Sequence, residues 1–345
     1  MYILYWILIS ILALSAMASA QEREVDIYGF MDLEYEYDNA GDKSTFDIHH
    51  FNIINTYSFE QFRIFSEMEW EHGPKIEPQE GEGEITLERA WFEYLYNDRL
   101  KIRAGKFLTP LGIYNLIHDS TPLFLTTSLP LMYGSHNPFG GKKDRLFAKF
   151  YTGLQVSGSH VSAADLRWTY ALGIGNGRGR AQFSADNDHH KATILRLRVA
   201  HPKGLQVGAS HYRDRNEQGV SGKARAREQL YGMDLEVDKG ALLLQSEYAL
   251  FRLERDGADA GFQNASAYYG LLAYRIGDFV TPVVRFDQFD PDGDSSGDAN
   301  KQWLLGVNVA LDPRIYLKSE IQFRSSDVPT TDSDWFHLSS ISVAF

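Results

Sequence analysis

The chain carries 34 lysines and arginines, 46 aspartates and glutamates, 11 histidines and no cysteine. Any chemistry must therefore come from charge, imidazole or hydroxyl, and thiol nucleophiles and cysteine metal sites are excluded. The stretch "GDSSG" at 293–297 has the outline of a hydrolase nucleophile loop, but it lies in an Asp/Gly-rich connection where turn chemistry accounts for each residue. Asp290, Asp292, Asp294 and Asp298 beside it are oxygen ligands without the Gly and Glu spacing of a calcium-binding loop. The pairs His49-His50 and His189-His190 point to opposite sides of a strand or lie in a loop, so neither is a good two-ligand metal site. No phosphate-binding glycine loop, HExxH or CxxC is present. The expectation is no enzyme, no cofactor and no metal.

What remains is a set of cations at alternate positions: Arg63, Arg89, Lys101, Arg103, Arg196, Arg198, Arg285, Lys318 and Arg324. Arginine and lysine rings on the wall of a pore favour anions. The plainer reading is an acid–base ladder that stiffens the wall. Arg63 has Glu67 and Glu69 on its own strand face and Arg89 has Glu93. Lys101, Arg103, Arg196 and Arg198 have no acid near them on that face, which makes them the stronger candidates for anion contact.

The elements that must position these cations are strands. Beyond residue 21 the apolar residues recur at period two, for about ten residues at a time, the length that crosses a bilayer at a barrel's tilt. In "RIYLKSEIQFRS", Ile315, Leu317, Ile321 and Phe323 oppose Arg314, Lys318, Glu320, Gln322 and Arg324; in "NKQWLLGVNVAL", Trp303, Leu305, Val307 and Val309 oppose Gln302, Gly306 and Asn308. Sixteen such segments are expected: 25–37, 45–57, 60–71, 84–96, 99–107, 147–160, 165–175, 191–201, 204–214, 226–238, 241–254, 264–276, 279–289, 300–311, 314–325 and 333–345. The connections alternate between short ("SF", "ND", "HP", "DK", "GD", "DP") and long and polar ("DNAGDKS", "HGPKIEPQEGEG", the stretch 108–146, "NGRGRAQFSADNDHHK"). That asymmetry is the one between periplasmic turns and extracellular loops.

The polar faces carry too many charges to be the outer surface of a dry core. A ring of sixteen strands is too wide for side chains to fill, so the polar face is expected to line water and the apolar face to meet lipid. Tyr35, Tyr37, Trp70, Tyr94, Tyr96 and Trp303 fall near strand ends on the apolar face, where interfacial girdles lie. The predicted fold class is all-β: a transmembrane antiparallel β-barrel of about sixteen strands in the cell outer membrane. The net charge of -12 argues against nucleic acid as a partner, which would want a basic face.

Residues 1–20, "MYILYWILISILALSAMASA", are apolar and end in the small-x-small step Ala18-Ser19-Ala20, which predicts an export signal and a barrel domain over 21–345. A retained anchor is the alternative. The chain ends "SSISVAF", and a terminal Phe345 on the lipid face is similar to the C-terminal signature that barrel assembly machinery reads.

The third long connection includes "LFLTTSLPLMYG", apolar for a solvent loop, and a long loop with apolar content packs against something. Folded into the lumen it would form a constriction, with His118, Asp119, Lys142, Lys143 and Arg145 nearby. The stretch "LKIRAGKFLTPLGIYNLIHDSTPLFLTTSLP" at 100–130 carries Gly105, Lys106, Phe107, Pro110 and Gly112, a Gly-basic-Phe step leading through a Pro-x-Gly turn into a long loop. This resembles the phosphate-selective porin (porins O and P) type. The resemblance implies a trimeric channel for passive diffusion of small hydrophilic solutes or anions such as phosphate, although no lysine ladder for phosphate is evident. A lipase- or protease-type barrel enzyme and a barrel plugged by its own loop are the rival readings.

Overall fold

The computed structural model describes residues 23–39, 42–72, 84–117, 121–134, 146–177, 189–216, 226–255, 261–295, 297–326 and 334–345. Sixteen antiparallel strands close on themselves. They are β1 (Arg23–Asp38), β2 (Lys43–Phe59), β3 (Phe62–Glu71), β4 (Glu84–Asn97), β5 (Leu100–Leu108), β6 (Phe150–Val161), β7 (Arg167–Gly175), β8 (Ala192–His201), β9 (Leu205–Asn216), β10 (Ala226–Lys239), β11 (Leu242–Arg255), β12 (Gly261–Tyr274), β13 (Val280–Asp290), β14 (Asn300–Asp312), β15 (Ile315–Ser326) and β16 (Asp334–Ala344). Every strand begins and ends within three residues of its sequence expectation, and the facing ends of β1 and β2 extend toward each other. As a result the expected long connection "DNAGDKS" shortens to residues 39–42.

Each strand pairs with its sequence neighbours, and β1 closes the ring against β16, Phe30 opposite Ala344 through Asp38 opposite Phe336. Closure removes every free sheet edge, which a lipid-embedded sheet requires. Phe345 completes the seam: its amide and carbonyl exchange hydrogen bonds with Gly29 at 2.9 and 2.8 Å. Its ring lies over Gly29, where a Cβ would come within 2.9 Å of it.

The faces are inverted relative to a water-soluble sheet. On β14, Trp303 and Leu305 are 53% and 54% exposed while Gln302, next to Trp303 on the other face, is 1% exposed. On β15, Leu317, Ile321 and Phe323 are exposed while Lys318, Glu320 and Gln322 are buried. An apolar exterior of this extent is what lipid stabilises and water does not. Tyr37 packs on Trp335 and Trp303 on Phe286 toward the long-connection end, and Tyr94 packs on Phe62 toward the short-turn end, so aromatics mark both rims.

The interior departs from a uniformly polar wall. On β11 and β12 the inward positions Ala249, Phe251, Leu253, Ala265, Ala267, Tyr269, Leu271 and Ala273 are buried and apolar. They form one cluster with Leu111, Ile113, Tyr114, Phe124, Leu131, Met132 and Tyr133 of the 109–149 connection.

Candidate functional site

The described residues of the connection between β5 and β6 form three single 3-10 turns, Tyr114–Leu116, Thr121–Leu123 and Leu131–Tyr133. Such short turns cannot satisfy their own backbone groups. Inward-facing side chains of the far wall do so instead. Arg285 on β13 donates from Nη1 to Thr126 Oγ1 at 3.0 Å and Ser128 O at 2.8 Å, and from Nη2 to Ser128 Oγ at 3.2 Å and Leu129 O at 3.1 Å. Its Nε meets Asp287 Oδ2 at 2.8 Å, and Asp287 Oδ1 accepts from the Leu131 amide at 3.3 Å. Glu320 on β15 accepts from the amides of Thr127 and Ser128 at 2.9 and 3.1 Å. Lys318 donates to the Thr121 carbonyl.

A second anchor lies on β11. Glu247 accepts from Tyr133 Oη at 2.5 Å and from Tyr269 Oη at 2.7 Å. Burial, reinforced by the adjacent Glu247 carboxylate, pushes the Tyr133 phenol well above its ordinary value, so it stays a proton donor. Gly112 makes the approach feasible: its φ is +60°, and a Cβ there would stand 1.9 Å from Glu247 Oε2 and 2.0 Å from Tyr133 Oη. Tyr114 stacks on Phe124 at 4.8 Å and meets Tyr269 edge-on at 5.6 Å.

Two sequence expectations therefore change. Arg285 and Lys318, expected on the water-lined wall, are buried at 0% and 3% exposure beneath the loop and hold it. The sequence does not single out Glu247, Asp287, Glu320 or Gly112 for this role; for Glu247 the signal is an acid two positions before the apolar inward run Ala249, Phe251 and Leu253. His118, Asp119, Lys142, Lys143 and Arg145 lie outside the described residues.

The remaining expected cations lie on β3 to β5, β8 and β15, and nearly all are paired across strands. Arg89 Nε is 2.5 Å from Glu67 Oε2, with its guanidinium over the Phe65 ring. Arg103 Nη2 is 2.6 Å from Glu93 Oε2 and its guanidinium lies 4.0 Å over Trp91, which stacks on Phe65. Arg196, buried, meets Asp234 through two bonds of 2.8 and 3.0 Å and Ser210 at 2.9 Å. Arg198 reaches Glu236 at 3.4 Å. Arg103, Arg196 and Arg198, expected to lack an acid, each find one on another strand: Arg103 on the adjacent β4, Arg196 and Arg198 across β9 on β10; same-strand reading misses such partners because register is set between strands. Arg324 donates to Gln302 and Gln322 at 2.9 and 2.8 Å and lies over Phe336.

One patch keeps a cationic excess. Arg63 Nη1 stands 3.8 Å from Glu93 Oε1, so Arg63 and Arg103 share one carboxylate. Lys101, two positions along β5 from Arg103, is half-buried and makes no hydrogen bond or ion pair with the described residues.

The histidine expectation is also reversed for one pair. The β1–β2 register shifts between Asp32 and Leu33, which leaves His49 as an extra residue. The rings of His49 and His50 then lie 3.9 Å apart on the same side. By contrast, Asp292 and Asp294 settle into local turns, with Asp292 accepting from the Asp294 amide and from Ser295 Oγ.

Among solved structures, the anion-selective porin from Comamonas acidovorans has a TM-score of 0.69 at 12% identity, covering 94% of this chain and 100% of its own. In-vitro folded OmpT, an outer membrane protein of Vibrio cholerae, has a TM-score of 0.66 at 13% identity over 95% and 99%. The outer membrane channel DcaP of Acinetobacter baumannii has a TM-score of 0.59 at 12% identity over 95% and 99%. Identities this low establish likeness of fold. An uncharacterized protein of Aquifex aeolicus (strain VF5) is 32% identical over 113 residues, 32% of this chain, and the match spans 26% of that relative. The model of the family described as phosphate-selective porin O and P matches residues 69–309. That is more than two thirds of the chain, which therefore belongs to the phosphate-selective porin O and P family.

Proposed function

We propose that the chain forms a water-filled channel through which small hydrophilic solutes cross the outer membrane by passive diffusion, with a preference for anions, and that it has no enzymatic activity. The observation that carries the anion preference is the patch on β3–β5, where Arg63 and Arg103 share one carboxylate, Glu93, and Lys101, two positions from Arg103, has no ion pair among the described residues. Most other wall cations are tied to acids or to the loop, so that patch is where an anion would find unneutralised charge. The loop pinned by Arg285, Glu320 and Glu247 narrows the path as a constriction. Residues 1–20 serve as an export signal, leaving 21–345 as the barrel, and Phe345 is the residue that assembly machinery reads. A homotrimer is the working assembly; OmpT of Vibrio cholerae has been described in a trimer form.

The test is the reversal potential of the purified protein in a planar bilayer under a salt gradient. Stepwise currents with an anion-favouring potential, weakened in the Lys101→Glu/Arg103→Glu variant, support the reading. A cation-favouring potential keeps the channel and refutes the anion preference. A correctly folded sample without conductance refutes the open channel and brings back the plugged barrel.

A further inference from the structure

Toward the long-connection end of β1, β2 and β3, imidazoles and carboxylates crowd one inward patch. The bulge at His49 sets two adjacent histidines against the inner carboxylates of β1. His50 Nδ1 stands 3.1 Å from Asp32 Oδ1, and His49 Nδ1 stands 3.2 Å from Glu34 Oε2. From the other side, His50 Nε2 lies 3.9 Å from Glu69 Oε1. His72, which touches Asp47 at 2.6 Å, stacks on His49 at 5.0 Å.

Histidine–carboxylate hydrogen bonds alone could account for a stiff wall, but they do not satisfy this one. Asp32 is fully buried, and its Oδ2 has no hydrogen-bond partner. A buried carboxylate oxygen left unpaired among further acids is costly unless a cation reaches it. One ligand atom from each of Asp32, His49 and His50 lies within 4.8 Å of the others. Tetrahedral bonds of about 2.0–2.2 Å set ligand atoms roughly 3.3–3.6 Å apart, so the three side chains must close on the ion by side-chain rotation of at most about 1.5 Å. A β-bulge inserted where it turns a second imidazole onto the inner face is a device that re-aims a side chain rather than one that strengthens a ladder.

We propose that Asp32, His49 and His50 bind a divalent transition-metal cation of the zinc class on the channel wall. Two imidazoles and a carboxylate match such an ion, whereas magnesium and calcium prefer all-oxygen sets. Glu34, 3.2 Å from His49 Nδ1, stands where an outer carboxylate orients many metal-binding histidines. The bound ion would offset the acids Glu69 and Glu71 that face His50 from β3.

The test does not depend on conduction. The folded full-length protein in detergent is titrated calorimetrically with Zn2+ alone and with Mg2+ alone. The expected result is a saturable Zn2+ isotherm and no Mg2+ heat, with His49→Ala and Asp32→Asn each weakening Zn2+ binding by at least about tenfold and His189→Ala/His190→Ala leaving it unchanged. His49 is partly exposed in a bulge, so its truncation leaves the barrel intact, checked by heat-modifiable gel mobility. No Zn2+ binding at millimolar concentration, wild-type binding in either site variant, or loss in the His189/His190 control overturns the proposal.

Discussion

Replacing Arg285 by methionine, a side chain of similar length without charge, removes four hydrogen bonds to the loop and leaves Asp287 buried without its cation. Breaking a buried ion pair from one side costs about 3–5 kcal/mol. At 1.4 kcal/mol per decade, that corresponds to about two to three and a half orders of magnitude in the population of the open loop. The sixteen-strand ladder does not depend on Arg285, so the cost falls on the loop. The assay is site-resolved amide hydrogen exchange. The Thr127, Ser128 and Leu131 amides, which donate to Glu320 and Asp287, should exchange at least about a hundredfold faster. Amides of the β14–β15 ladder should keep their protection. The variant Arg285→Met/Asp287→Leu should recover part of the loss, because no orphaned carboxylate remains. Unchanged protection at Thr127 and Ser128 in Arg285→Met would refute the claim that this guanidinium holds the loop.

Gly112→Ala should loosen the same loop from its other anchor, since its φ of +60° and the 1.9 Å approach to Glu247 leave no room for a methyl group; the expected cost exceeds about 1 kcal/mol, read as faster exchange at Tyr133 with unchanged barrel mobility on a gel. Gly29→Val should displace the Phe345 ring from the β1–β16 seam and lower the yield of heat-modifiable barrel on refolding; an unchanged yield would mean the ring does not assist closure.

The strands were legible residue by residue because lipid and water impose a period of two on each strand separately, as in Trp303, Leu305, Val307 and Val309 against Gln302, Gly306 and Asn308. Even the loop's apolar content, "LFLTTSLPLMYG", announced that it would pack. What it packs on was not legible, since the inward apolar patch Ala265, Ala267, Tyr269 and Leu271 reads in sequence as more membrane face. The fate of the charges was equally hidden. Arg196 and Asp234 are 38 residues apart, and Thr127 and Glu320 are 193 apart. Which cation meets which acid depends on register across neighbouring strands and on closure of the ring, and neither is written within one strand. The bulge that brings His49 beside His50 is the sharpest case: alternation alone separates the two rings, and only the pairing of β1 with β2 decides that they share a side.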